Sequence, residues 1–172
     1  NMTTIASSQT WTVPAGITLV KIYVTGGGGG SSNGYNMAGS AGGTAIKYLT
    51  VVAGNDIVVT IGAGGADGST GSAGGNTTAV YNSATTITGN GGGGYVSGAG
   101  VGGSASGGDL NITGGAASQG TTGYGAMGPG GSFWGSGSHQ YSGAYGAGGH
   151  SYNSWGSISN GDGTAGVVVI EY

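Results

Sequence analysis

The sequence predicts a mainly β fold without α-helix, in which a small sheet formed by the N- and C-terminal strands is combined with a packed bundle of glycine-rich polyglycine II helices. Glycine makes up 47 of the 172 residues, roughly 27 %, where about 7 % is usual. Apolar and β-branched residues alternate with polar ones near both ends, as in strands. We expect a single domain over residues 1–172, with strands within 10–25, 44–61 and 166–172 and with glycine tracts and loops over 26–43 and 62–165.

The strand predictions follow from runs of β-branched residues that are separated by turn residues. A first hairpin is predicted from Thr10–Val13 and Ile17–Val24, joined by the turn Pro14-Ala15-Gly16. A second pair is predicted from Thr44–Val52 and Asp56–Ile61, joined by Ala53-Gly54-Asn55. Further strands are predicted at Thr77–Tyr81, at Thr85–Thr88 and at Val167–Tyr172.

Glycines between these strands recur at every third position, at Gly62, Gly65, Gly68, Gly71 and Gly74. Three residues per turn is the repeat of polyproline II, whose backbone has no internal hydrogen bonds and must bond to its neighbours. Only glycine lets two such backbones lie side by side. We therefore expect several segments of about 9–12 residues at ~3.1 Å per residue. The alternative is that the tracts are long loops on a small β domain.

The charge pattern disfavours nucleic acid as a partner. Lys21 and Lys47 are the two cations, and the chain has no arginine, so it cannot neutralise a phosphate backbone. It has no cysteine for disulfides or thiolate metal sites. No run approaches the roughly 20 apolar residues of a membrane span.

No catalytic or metal-binding residues and no cofactor are predicted, and we do not expect an enzyme. The pattern Gly-x-Gly-x-x-Gly occurs as often as this glycine content gives by chance, and none of its copies opens a helix as dinucleotide binding requires. His139 and His150 are eleven residues apart, and the carboxylates are scattered singly. We expect the histidines to serve as polar aromatic contacts on loops.

The candidate binding residues are aromatic and lie among serine, asparagine and glycine. Tyrosine and tryptophan give large, rigid contact surfaces, and small polar residues adapt their hydrogen bonds to a partner. Half of the chain's aromatic residues fall between positions 124 and 155. The alternative is that these rings cover the outside of the glycine bundle. The predicted contact residues are Tyr35, Phe133, Trp134, His139, Tyr141, Tyr145, His150, Tyr152 and Trp155.

Five segments, taken in their order along the chain, carry a resemblance to a known family. They are Trp11 to Gly16, the glycines Gly26 to Gly30 after a strand, Gly43 before the strand Thr44 to Val52, Gly107-Gly108-Asp109-Leu110-Asn111-Ile112, and the closing Gly166 to Tyr172. Together they resemble the glycine-rich domain at the ends of bacteriophage tail fibres.

The resemblance implies an extracellular receptor-binding tip of a virion tail fibre, with polyglycine II helices as its scaffold and variable loops as its contact surface. Its partners would be the rest of the tail fibre and a host receptor, either an outer-membrane protein or a polysaccharide. A monomeric tip, a homotrimeric fibre and a subunit of another surface filament all stay open. The alternative functions are a self-assembling structural subunit of an extracellular fibre and an ice-binding protein.

Overall fold

The protein is all-β in the part of the chain that the structure describes. The structure is a computed structural model that describes residues 1–32, 37–94, 100–118, 125–136, 144–154 and 157–172. Within these ranges no residue is helical, and so no helix could cross a membrane. The strands are β1 (Met2–Ile5), β2 (Gln9–Thr12), β3 (Leu19–Thr25), β4 (Thr44–Thr50), β5 (Asp56–Thr60), β6 (Thr77–Tyr81), β7 (Thr85–Gly89), β8 (Ala105–Ser106), β9 (Leu110–Ile112), β10 (Gly125–Met127), β11 (Ser151–Ser154), β12 (Ser157–Asn160) and β13 (Val167–Glu171).

The C-terminal strand pairs with β3, which lies within the predicted N-terminal strand region, and also with β1, which was not predicted. Sheet I has the order β1-β13-β3-β4-β9, and all its pairs are antiparallel. The last strand therefore lies between the first strand and β3. The N-terminal amine of Asn1 donates to the carbonyl of Tyr172 at 2.6 Å, which closes this edge.

A second five-stranded antiparallel sheet packs on sheet I and encloses the main core. Sheet II has the order β2-β5-β6-β7-β8, and sheet III consists of β10-β11-β12. Alternate residues of each strand point between sheets I and II. Val20, Ile22 and Val24 of β3 are buried there, as are Ile57 and Val59 of β5. We call the paired sheets I and II the sandwich.

Both predicted strand pairings in the first third of the chain are wrong. The strands around Pro14-Ala15-Gly16 lie in different sheets, since β2 pairs with β5 while β3 pairs with β13 and β4. In the same way β4 belongs to sheet I and β5 to sheet II. Turn residues show that the chain changes direction, but they do not show whether it stays in one sheet.

The two connections that cross between the sheets are bonded to each other. The amide of Val13 donates to the carbonyl of Asn55, and the amide of Gly54 donates to the carbonyl of Val13, both at 2.9 Å. Val13 and Val51 are buried with the main core. The crossings therefore close one end of the sandwich. The predicted strands at Thr77–Tyr81 and Thr85–Thr88 are confirmed as the neighbours β6 and β7.

At the other end of the sandwich, eight of its strands continue directly into glycine-rich segments. β3 runs into 26–32, β4 follows 37–43, β5 runs into 61–68, β6 follows 71–76, β7 runs into 90–94, β8 follows 100–104, β9 runs into 113–118 and β13 follows 161–166. Two more segments, 128–131 and 146–149, bond to this group: Gly130 donates to Gly39, and Gly42 donates to Gly146.

The amides of residues 26–31 bond to three neighbouring segments in turn, and the neighbour repeats at every third residue. The pairs, donor first, are Gly26 with Gly43 and Gly29 with Ser40, Gly27 with Gly75 and Gly30 with Ser72, and Gly28 with Thr164 and Ser31 with Gly161, at N···O distances from 2.8 to 3.2 Å. In a β-strand the repeat would be two. Each pair also steps in opposite directions along the two chains, so these three neighbours are antiparallel to residues 26–31.

The carbonyls of the same segment accept from three other segments. Gly27, Gly28 and Gly29 accept from Gly92, Gly65 and Gly149, each at 2.8 Å. Six segments therefore bond to residues 26–31. A β-carbon added at Gly28, Gly29 or Gly30 would stand well under 3.0 Å from a backbone carbonyl oxygen of a neighbour, so the backbones touch without intervening side chains.

The glycines at every third position from Gly62 to Gly74, from which the three-residue repeat was predicted, do not lie in one segment. Gly62 and Gly65 lie in the segment that leaves β5, while Gly71 and Gly74 lie in the segment that returns to β6, after a bend at Ser69 and Thr70. The segments are also shorter than expected: six residues, 161–166, separate β12 from β13. Each segment ends where the chain bends, and the regular glycine spacing continues across such a bend.

Candidate functional site

The candidate contact residues divide between the two ends of the glycine-rich segments. We call the end away from the sandwich the distal end. There the chain passes from one segment to the next through 32–37, 68–71, 94–100, 118–128 and 149–161. The excursion 132–145 instead begins and ends beside the sandwich, since the Cα of Gly146 lies close to the side chain of Thr25, the last residue of β3.

Four predicted contact residues belong to distal connections. His150 directly follows segment 146–149, and its carbonyl accepts from the amide of Gly161 at 3.1 Å. Tyr152 lies in β11, the central strand of sheet III, opposite Ala126 and Ser159. Tyr35 and Trp155 lie outside the described residues, but Ser32 and Met37 on either side of Tyr35 form a bridge.

Three predicted contact residues lie at the sandwich end, namely Phe133, Tyr145 and Trp134. Phe133 is 44 % exposed and Tyr145 is 42 % exposed. The hydroxyl of Ser132 donates to the carbonyl of Tyr145 at 2.6 Å, so the excursion is closed at its base. His139 and Tyr141, also within this excursion, lie outside the described residues.

Trp134 packs on the outer face of sheet I. Its ring centroid is 5.6 Å from that of Tyr23 and 5.0 Å from that of Phe133, which it meets edge to face. Its indole N–H donates to the hydroxyl of Thr25 at 2.8 Å. Trp134 thus covers part of sheet I, whereas the alternative to receptor contact was a cover on the glycine bundle, and its contact role stays a prediction.

Topology singles out two residues that the sequence predictions did not include. Tyr95 lies in the connection between Gly94 and Gly100, and Tyr124 lies between Ser118 and Gly125. Together with Tyr35 and Tyr152, they give an aromatic residue to each of the four longer distal connections. Which loops lie at the distal end depends on which segments lead away from the sandwich and which lead back. The sequence does not show this order directly.

The described distal bends carry serine and aspartate side chains, and both lysines of the chain lie elsewhere, in β3 and β4. The hydroxyl of Ser32 donates to the carbonyl of Ser69 at 2.8 Å, which ties two distal bends together. The carboxylate of Asp162 accepts from the amide of Asp67 at 2.8 Å. The described distal bends therefore present hydroxyl and carboxylate groups and no lysine.

The whole chain matches one family model, which is described as a glycine-rich domain and covers residues 3–172. The chain belongs to this family. No curated protein gave a match to this glycine-rich domain. Among its described residues no group of three or more histidines and carboxylates could hold a metal ion.

The segment Gly107 to Ile112 of this glycine-rich domain forms a turn that is hydrogen-bonded to β4. The amide of Gly108 donates to the side-chain oxygen of Asn111, whose side-chain N–H donates back to the carbonyl of Gly108, both at 3.1 Å. Asp109 accepts from the amide of Tyr48 at 2.9 Å and from Lys47 Nζ at 3.1 Å. The backbone bond from Tyr48, followed by the bond from Lys47, lowers the pKa of Asp109 below its ordinary value of 3.8.

Proposed function

We propose that this glycine-rich domain is the receptor-binding tip of a bacteriophage tail fibre, with the distal connections as its contact surface. One observation carries the proposal. The described segments leave and re-enter the bundle so that four connections, each with an aromatic residue in its sequence, begin and end on the side opposite the sandwich. Rigid aromatic anchors among small polar residues are the composition of evolved binding surfaces.

The scaffold of this tip is a polyglycine II bundle. The three-residue repeat of the amide bonds over residues 26–31, with six bonded neighbours, is what a three-fold backbone helix without internal hydrogen bonds requires. Such a bundle is held by its backbone, so the sequence of a distal connection can change without loss of the fold. This independence suits a surface that must follow a varying receptor.

The receptor is an exposed protein or polysaccharide of a bacterial surface, and recognition does not depend on cations. Nucleic acid is not a partner in this proposal, since the net charge of the chain is −3 and the lysines lie away from the distal end. The rest of the fibre is the second partner, and the domain acts outside the cell as part of the virion. A homotrimeric fibre is one arrangement in which it could work.

The test is binding of the labelled domain to a panel of bacterial strains. The double variant Tyr35→Ala/Tyr152→Ala should lower binding to a recognised strain at least roughly tenfold, because truncated aromatic anchors commonly cost more than about 1 kcal/mol each. Val58→Ala is the matched control, since Val58 is 50 % exposed on sheet II, far from the distal end. Binding to no strain, or equal binding by the double variant, contradicts the proposal.

Treating the cells with periodate or with protease before the binding assay shows whether the receptor is a glycan or a protein. Periodate oxidises glycans and protease removes surface proteins, so loss of binding after one treatment alone identifies the receptor class. In both cases binding should stay sensitive to the Tyr35→Ala/Tyr152→Ala change. Retention of binding after both treatments contradicts a receptor of either class.

A further inference from the structure

The outer face of sheet I, which points away from sheet II, has an open groove that the proposed tip does not use. The groove has a volume of about 510 Å³ and is lined by Met2, Leu19, Lys21, Tyr48, Glu171 and Tyr172 among others. Small-molecule sites commonly have about 300–1,000 Å³. Tyr48 is 59 % exposed, and Leu19 and Met2, which also line the groove, are exposed as well. Large apolar side chains exposed together usually mark an interaction site.

The floor of the groove is one row of side chains across four strands. Met2, Glu171, Lys21 and Tyr48 are successive cross-strand partners in β1, β13, β3 and β4. Directly opposed residues lie on the same face of a sheet, about 4.5–5.5 Å apart. The row therefore places a carboxylate, an ammonium group and an aromatic ring side by side in the groove.

The charged groups of this row contact tyrosines: Lys21 lies near two tyrosine rings, and Glu171 accepts a hydrogen bond from a tyrosine hydroxyl. Lys21 Nζ lies 4.8 Å from the centroid of Tyr23 and 5.6 Å from that of Tyr48. The hydroxyl of Tyr23 donates to Glu171 Oε1 at 3.1 Å. Among the described residues no other donor reaches the carboxylate, so its second oxygen can accept from a ligand. Lys21 can donate, because an ammonium group carries three hydrogens.

We propose that this groove is a second ligand site, and that its ligand is a neutral saccharide. A sugar ring has an apolar C–H face, which packs on the negative face of an aromatic ring, and hydroxyls that both donate and accept. Tyr48 supplies the ring, Lys21 a donor and Glu171 an acceptor. The positive charge of Lys21 and the negative charge of Glu171 cancel, so this row gives no excess charge that would favour an anionic or a cationic ligand.

The size of the face argues against a second copy of the chain as its occupant. Five strands at about 4.8 Å and five residues at about 3.4 Å give a face of roughly 400 Å². Trp134 and Phe133 already cover the part over Tyr23. A stable protein interface buries about 800 Å² on each partner. The uncovered face is thus small, and its size suits a short oligosaccharide better than a second copy.

The test is calorimetric titration of the full chain with a panel of neutral tetrasaccharides that end in glucose, galactose, mannose or N-acetylglucosamine. At least one should bind saturably, and Tyr48→Ala and Lys21→Gln should each weaken Kd by roughly tenfold. Val58→Ala should change Kd less than twofold. Thermal unfolding of each variant verifies the fold; both replaced side chains face the groove rather than the main core.

Three outcomes would overturn the saccharide site. They are no saturable binding by any tetrasaccharide up to ~10 mM, the same Kd for Tyr48→Ala as for the native chain, and a dimer in sedimentation that Tyr48→Ala abolishes. The last outcome would assign the face to a second copy. The result is distinguishable from that for the tip, because Tyr35→Ala/Tyr152→Ala should leave the tetrasaccharide Kd unchanged.

Discussion

At the scale of the residue, the need for glycine depends on what lies against its Cα. Between the glycine-rich segments the neighbour is a backbone carbonyl, which cannot move without breaking its own hydrogen bond. At Gly68 the nearest atom to an added β-carbon would be 4.0 Å away. The same residue type is therefore indispensable at one position and replaceable at another.

The first prediction compares these two kinds of glycine. Gly29→Ala should lower the free energy of unfolding by about 1–3 kcal/mol, the usual effect of overpacking, because its β-carbon would overlap the carbonyl of Gly93. Gly68→Ala should change it by less than about 0.5 kcal/mol. Denaturant titration of both variants measures the difference. Equal effects of the two changes would show that the close approach at Gly29 does not exist.

The second prediction concerns Asp109, whose pKa is lowered by the Tyr48 amide and the Lys47 ammonium group. A carboxyl group with a lowered pKa stabilises the fold above its unfolded-state pKa and loses that contribution as the pH falls through the folded-state value. Asp109→Asn should therefore have a lower Tm than the native chain at pH 7. The difference should disappear as the pH falls below about 3.8. Thermal unfolding across this range tests it, and a difference that persists in acid would mean that the charge is not involved.

At the scale of the element, one hydroxyl adds to the backbone bonds that hold the connection between β4 and β5. The hydroxyl of Tyr81 accepts from the amide of Val52 at 2.9 Å and from the side chain of Asn55 at 3.1 Å. Tyr81, a residue of β6, is thus hydrogen-bonded to the connection that passes from sheet I to sheet II.

The third prediction removes that hydroxyl. Tyr81→Phe should destabilise the fold by about 1 kcal/mol, because the amide of Val52 loses its acceptor while the ring still packs. Tyr145→Phe is the control, since Tyr145 is 42 % exposed and its hydroxyl forms no hydrogen bond with the described residues. Chemical unfolding gives both values, and a Tyr81→Phe variant as stable as the control would remove this role.

The sequence was a good guide to individual strands and a poor one to their partners. β3, β4, β5 and β13 follow from β-branched alternation, because such residues suit a half-buried pleated surface. The crossings at 13–18 and 51–55 have the same turn residues as hairpins, and only the burial of Val13 and Val51 between the sheets sets them apart. The two-residue strand β8 and the three-residue strand β9 are too short for a periodic signal and form by pairing with neighbours.

At the scale of the whole molecule, the glycine-rich segments extend the strands of the sandwich and end in the distal connections. Residues 26–31 would span roughly 19 Å at ~3.1 Å per residue, which separates the distal end from the excursion that carries Trp134. The predicted contact residues looked like one cluster because most lie close in sequence. The direction of each segment decides which end a loop occupies, and that direction depends on pairings far apart in the chain.

The central claim is that the glycine-rich segments hold one another through their backbone amides. The most direct measurement is amide hydrogen exchange, residue by residue, on the ¹⁵N-labelled chain. The amides of Gly27, Gly28 and Gly29 should exchange as slowly as those of Ile22 and Val24 in β3, because all of them are bonded and buried. Fast exchange of these three glycines, with β3 still protected, would show that the segments are loops on a β-sandwich and would contradict the account.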